Sequence, residues 1–134
     1  MSIQRTIATF LVLALMAGCA TTSSRPARSE FEDIPVPKGL TYQPSKSTVI
    51  ESPSVKAARL VYRGRLEVDS LSVAMRTTLE ANGWRHVSST ATADHGITQV
   101  YEKSGSSLEV HLIDGWWYTH VELTASRAQQ QAIK

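Results

Sequence analysis

The chain opens on a nearly unbroken apolar run, Thr9-Phe10-Leu11-Val12-Leu13-Ala14-Leu15-Met16-Ala17-Gly18, which follows Arg5 and is closed by Cys19. A basic start, a greasy middle and small residues at the end are the regions of a secretory signal peptide, and the run is too short to span a bilayer. From Ala20 to Glu30 the periodicity vanishes: ATTSSRPARSE is small, polar and aperiodic, the composition of a flexible tether. Residues 31–40 then alternate apolar side chains with prolines. Each proline fixes its own φ and pushes its predecessor towards extended geometry, which predicts an extended lead-in packing Ile34, Val36 and Leu40 along a domain.

Beyond the lead-in the hydrophobic period switches between two and about 3.6. Thr48–Glu51 reads as a short strand, and Glu51-Ser52-Pro53-Ser54 as a turn. In Ala58–Arg65 the apolar Ala58, Leu60 and Tyr62 share one strand face, with Arg59, Val61, Arg63 and Arg65 on the other. Asp69 then fits a helix N-cap, because Leu71, Met75, Thr78 and Leu79 follow at spacings of three and four. Asn82-Gly83 ends that helix in the left-handed manner, and Trp84 directly behind it is expected to fold back onto the core. Trp84–Ser89 and Ile97–Lys103 are further strands, joined by the polar Ala91–Gly96; the pattern leaves open whether Val100 or Tyr101 points inward.

Asp114-Gly115 fits a two-residue type I′ turn, in which both central residues need positive φ. Such a turn pairs Ile113 with Trp116, Leu112 with Trp117, His111 with Tyr118, Val110 with Thr119, Glu109 with His120 and Leu108 with Val121. One face of this hairpin is then almost wholly apolar, comprising Leu108, Val110, Leu112, Trp117, Thr119, Val121 and Leu123. The opposite face carries Glu109, His111, Tyr118, His120 and Glu122. A sheet with one apolar and one polar face requires a single covering layer. The expectation is a two-layer α+β domain over residues 31–125 in the order β-β-α-β-β-β-β, an antiparallel sheet of about five or six strands under one helix, with a polar tail over 126–134.

Composition narrows the function classes. Removing residues 1–18 from the 134 leaves 116, and losing Arg5 takes the 14 basic side chains to 13 against 12 acidic. One domain with one modest core fits that length, and the near-neutral balance argues against nucleic acid as a partner. Cys19 is the sole cysteine, so no disulfide forms within the chain. The sequence carries no G-x-S-x-G elbow, no phosphate-cradling glycine loop and no cofactor motif.

Three groups of side chains are candidates for a site. His111 and His120 are diagonal partners on the polar hairpin face with Glu109 and Tyr118 nearby; on an open sheet without an enclosing shell the expectation is no metal or adventitious binding only, of weak zinc or copper. Arg59, Arg63 and Arg65 line one strand face, suited to anionic lipid headgroups, lipopolysaccharide phosphates or cell-wall carboxylates, or else a solvated edge that discourages aggregation. Trp116 and Tyr118 emerge on the polar side of the hairpin, as anchors for a partner protein, a glycan or a membrane interface, or as an aromatic cross-strand pair. Paired carboxylates leave a small hydrolase as a third class of function, although so small a domain offers little material for a closed active site.

Leu15-Met16-Ala17-Gly18-Cys19 resembles the lipobox of bacterial lipoproteins, with Met16 where leucine is usual. The resemblance implies that the Cys19 sulfur takes a diacylglyceryl group, that residues 1–18 are removed, and that the new amine is acylated. The alternative is an ordinary cleaved signal peptide with a spare thiol. By analogy with enterobacterial lipoproteins, Ala20 in place of the aspartate that retains them at the inner membrane implies the outer membrane, facing the periplasm. Together with the polar tether, Asp33-Ile34-Pro35-Val36-Pro37-Lys38-Gly39-Leu40, Tyr62-Arg63-Gly64 and Asn82-Gly83-Trp84, the chain is similar to a group of small bacterial envelope lipoproteins that brings no catalytic residues to carry over. The expectation is therefore a non-enzymatic, lipid-anchored accessory or stabilising subunit with an envelope protein or cell-wall partner; the alternative is a module recognising an anionic envelope component through the arginine row.

Overall fold

The computed structural model describes Phe31 and residues 33–128. The expected leader 1–18, Cys19, the expected tether over 20–30, Glu32 and residues 129–134 lie outside the described residues. The described chain forms an α+β fold with strands β1 (Thr41–Tyr42), β2 (Thr48–Glu51) and β3 (Val55–Gly64), the helix α1 (Val68–Ala81), and strands β4 (Arg85–Ala91), β5 (Ile97–Lys103), β6 (Ser106–Ile113) and β7 (Thr119–Ala128). All seven strands join one antiparallel sheet in the order β1-β3-β7-β6-β5-β4, and β2 pairs with β3 beside β1.

The seventh strand, one more than the sequence pattern suggests, is the two-residue β1, too short to show any hydrophobic period. It is held by position: Tyr42 lies opposite Tyr62 with ring centroids 5.3 Å apart, and the Gln43 N–H donates to the Val61 carbonyl at 2.8 Å. Strand β7 also runs to Ala128, beyond the expected domain end at 125, because Ser126 and Arg127 pair with Ala57 and Lys56 of β3.

Topology dictates the covering layer. Strand β3 lies near one edge of the sheet and β4 forms the other, so α1 must cross one face to connect them. Its buried stripe, Val68, Leu71, Met75 and Leu79, meets Leu60, Tyr62, Leu108, Val110, Leu112, Val121, Leu123 and Ala125 in one core. The lead-in completes the layer: Phe31 and Ile34 are buried in that core, with Val36 and Leu40 packed against it. Close approach of the lead-in explains Gly64, where a Cβ would stand 2.6 Å from the Gly39 carbonyl oxygen.

The N-cap of α1 is Glu67, two residues before the expected Asp69. The Glu67 carboxylate accepts from the N–H groups of Asp69 and Ser70 at 2.9 and 2.7 Å, leaving Asp69 in the first turn, where negative charge favours the helix dipole. At the other end Gly83 adopts φ +84°; its N–H donates to the Glu80 carbonyl at 3.0 Å and that of Trp84 to Leu79 at 3.1 Å, the paired bonds of a Schellman cap. Trp84 is buried behind it, as the sequence suggests. On β5, Gln99 and Tyr101 face inward while Val100 faces out, because the Tyr101 hydroxyl donates to Gln99 Oε1 at 2.9 Å and Gln99 Nε2 donates to the Ser72 carbonyl at 3.2 Å.

The β6–β7 hairpin departs from its expected register by four residues. Ile113 lies opposite His120, Leu112 opposite Val121, Val110 opposite Leu123 and Leu108 opposite Ala125, leaving residues 114–118 as a longer loop. Neither Asp114 nor Gly115 takes a positive φ, so the type I′ turn does not form there. Strand β7 is sandwiched between β6 and β3, and this register sets Val121, Leu123 and Ala125 against apolar partners on both sides, including Tyr62, Leu60 and Ala58. An even shift preserves which face each residue occupies. Leu108, Val110, Leu112, Thr119, Val121 and Leu123 therefore point inward as expected, and only Trp117 leaves the core, at 71% exposure. The two-residue turn chemistry operates instead between β5 and β6, where Ser104 and Gly105 have φ +47° and +75° and Lys103 pairs with Ser106.

Candidate functional site

Strand directions divide the loops between two ends of the sheet. At one end, where β3 and β6 finish and β7 begins, the loops 65–67, 92–96 and 114–118 gather with the N-terminus of α1. The opposite end holds the Ser104-Gly105 turn, the C-terminus of α1 and Phe31, whose ring lies 4.9 Å from the Arg127 guanidinium while Asp33 pairs with the same arginine. Phe31, the first described residue, therefore lies at the end away from the 114–118 loop.

That loop carries the most exposed apolar surface described. Trp116 is 90% exposed and Trp117 71%, their ring centroids 6.3 Å apart and their planes crossed at 78°. Behind them Tyr118 is half-buried, with the guanidinium carbons of Arg63 and Arg65 at 4.9 and 5.3 Å from its ring centroid. The sequence reading singled out Trp116 and Tyr118 but placed Trp117 in the core. Three consecutive aromatics were the missed signal: a half-buried strand alternates its faces, and Trp116-Trp117-Tyr118 cannot alternate.

The arginine row is divided. Arg59 is consumed by Glu122, its Nε donating to Oε1 and its Nη2 to Oε2 at 2.6 Å. The bond raises the Arg59 pKa and holds the Glu122 carboxyl below the usual range, with His111 adding a smaller pull in the same direction. Arg63 and Arg65, by contrast, are exposed, and among the described residues neither is bridged to a carboxylate. So the structure brings Arg63, Arg65, Trp116 and Tyr118 together at one end and leaves Arg59 out.

His111 and His120 remain diagonal neighbours on the open sheet face in the corrected register, since His120 opposes Ile113 and His111 opposes Glu122. Among the described residues, no three histidine, cysteine, aspartate or glutamate side chains converge as a metal site would need. A concavity of about 330 Å³ at the N-terminus of α1 is lined by Glu67, Asp69, His95 and Asp114 among others. There the Glu67 carboxyl is held below the usual range by the helix N–H groups of Ser70 and Asp69, the opposite direction from a general acid. No described helix is long and apolar enough to cross a membrane.

No protein-family model matches the chain, and neither a curated protein nor a solved structure shows detectable similarity to it.

Proposed function

We propose that this chain is a non-enzymatic, lipid-anchored lipoprotein of the bacterial outer membrane that displays a small α+β domain to the periplasm and acts by binding, as an accessory or stabilising subunit of the envelope. The observation that carries this reading is the apolar run ending in Leu15-Met16-Ala17-Gly18-Cys19 and followed by an aperiodic polar tether. The domain's chemistry supports it. The Glu122 charge is spent on Arg59 and that of Glu67 on a helix cap, whereas the exposed side chains gathered at one end, Trp116, Trp117, Arg63 and Arg65, are those enriched at binding surfaces. Mass spectrometry of the mature protein from detergent-extracted membranes tests the reading. The expected product starts at Cys19 and carries a diacylglyceryl group and an N-acyl chain, and Cys19→Ser abolishes both the processing and the membrane retention. A bare thiol, or a leader still attached, refutes it.

A second reading, recognition of an anionic envelope component, is favoured by the exposed, unbridged state of Arg63 and Arg65. It loses Arg59, whose charge is already matched by Glu122. If R63E/R65E leaves cosedimentation with lipopolysaccharide and with sacculi unchanged, this reading fails.

A further inference from the structure

We propose that the tip formed by Trp116, Trp117, Arg63 and Arg65 is a second, reversible membrane contact that takes an anionic phospholipid surface. The tip contact stands on the geometry below, and only its relation to the tether rests on the lipid anchor proposed above.

Large apolar side chains are normally hidden, yet the two indoles at this loop are the most exposed apolar groups described, at 90% and 71%. Indoles favour the headgroup boundary of a bilayer, where the ring contacts acyl chains while its N–H stays wet. Arg63 and Arg65 stand directly behind them, stacked on Tyr118 and unbridged by carboxylates, the arrangement that adds attraction to anionic headgroups. Two carboxylates stand at the same end: Glu67 is turned to the α1 N–H groups, and with Asp114 it lines a concavity shared with Arg65, Trp116 and Trp117. Arg63 projects from the open sheet face by its outward parity on β3, and Arg65 follows just past the end of the strand, both guanidinium groups lying over the Tyr118 ring.

The shape selects lipid over a glycan strand. Two indole planes crossed at 78° give no shared flat platform for stacking a sugar chain, whereas a protruding loop tip is suited to enter a deformable surface. Chain length permits the tip and the anchor to share one membrane. The tip and Phe31 lie at opposite ends of β7, whose ten residues span about 33 Å, and the twelve residues 19–30 reach about 40 Å at full extension.

The test uses the mature lipidated chain reconstituted in vesicles of acyl-brominated phosphatidylcholine, with and without about one-third phosphatidylglycerol. Both hold the anchor, so quenching of indole emission reports the tip, with the buried Trp84 as an internal background. Strong quenching is expected only with phosphatidylglycerol. It should vanish in W116A/W117A, and R63E/R65E should lower the fraction of engaged tips at least tenfold, about fivefold being expected per arginine. Deleting residues 22–27, which cuts the tether's reach to about 20 Å, should abolish it in the anchored protein. Equal emission in the two lipids, quenching that survives R63E/R65E, or protection of these indoles by sacculi in place of lipid overturns the proposal, the last assigning the tip to the cell wall. Should the mass measurement find no lipid on Cys19, sedimentation of the same unlipidated full chain with these vesicles still decides whether the tip binds. Far-UV circular dichroism confirms that each variant is folded.

Discussion

Replacing Trp117 by alanine separates two descriptions of the β6–β7 hairpin. With the two-residue turn that Asp114-Gly115 suggests, Trp117 lies opposite Leu112 inside the core, and truncating a buried tryptophan costs about 3–5 kcal/mol. For a domain of about 100 residues, at roughly 4–8 °C per kcal/mol, that is a fall of about 12–40 °C in Tm. In the observed register Trp117 is 71% exposed and touches chiefly Trp116 edge-to-face, a contact worth about 0.5 kcal/mol on so open a loop, or about 2–4 °C. Leu123→Ala is the comparison. Leu123 is fully buried and paired with both Leu60 and Val110, so its loss should cost about 2–5 kcal/mol. Thermal unfolding followed by far-UV circular dichroism measures both variants. A Trp117→Ala protein that melts as early as Leu123→Ala would refute the register, and with it the exposed aromatic tip.

The buried Tyr101–Gln99 pair should behave as a unit: Tyr101→Phe or Gln99→Leu alone leaves a buried polar atom without a partner and costs about 1–3 kcal/mol, while the double variant recovers most of the loss; additive costs in chemical denaturation would contradict this. Burial pushes the Tyr101 hydroxyl up to about 12, above its unfolded value, so its contribution is complete at neutral pH and is lost as pH rises from about 10 to about 12; Tyr101→Phe should flatten that part of the stability profile measured by urea unfolding. Glu67 and Glu122 are shifted the other way, by helix N–H groups and by Arg59, so their contributions are present above about pH 4.3 and disappear as pH falls below it, and E67Q and E122Q should each flatten the acid side of a Tm-against-pH curve. Gly105→Ala forces a side chain into left-handed backbone at φ +75° and should cost about 1–2 kcal/mol in the same melts, whereas an unchanged Tm would deny the turn between β5 and β6.

Local pattern carried much of the fold. The 3.6 period named Leu71, Met75 and Leu79, all buried, and Asn82-Gly83 with Trp84 behind it marked a helix end that the structure closes with two backbone bonds. Alternation assigned the inward residues of β3, β6 and β7 correctly even though the β6–β7 register was misjudged, because a slip by four leaves strand parity intact. The helix starts two residues early because the Glu67 carboxylate accepts from the N–H groups of Asp69 and Ser70, its own N2 and N3 positions, where a cap at Asp69 would have served Leu71 and Ser72. At the candidate site, Arg63 was legible as an outward residue of a strand, whereas Arg65, expected on the same strand, lies just past its end at Gly64. Their contact with Tyr118 was not legible, since it depends on where a loop of non-local origin comes to rest.

By itself the sequence determined most of the element types and the faces they bury. Those features are written in spacing and composition, which act between near neighbours. Tertiary structure alone decided the neighbours of β7, the two-residue β1, the pairing that removes Arg59 from the basic row, and the exposure of Trp117. The two-residue β1 is set by its pairing with β3, and the others follow from β7 lying between its sequence neighbour β6 and the distant β3, where apolar partners on both flanks must be matched at once and a single turn motif is outweighed.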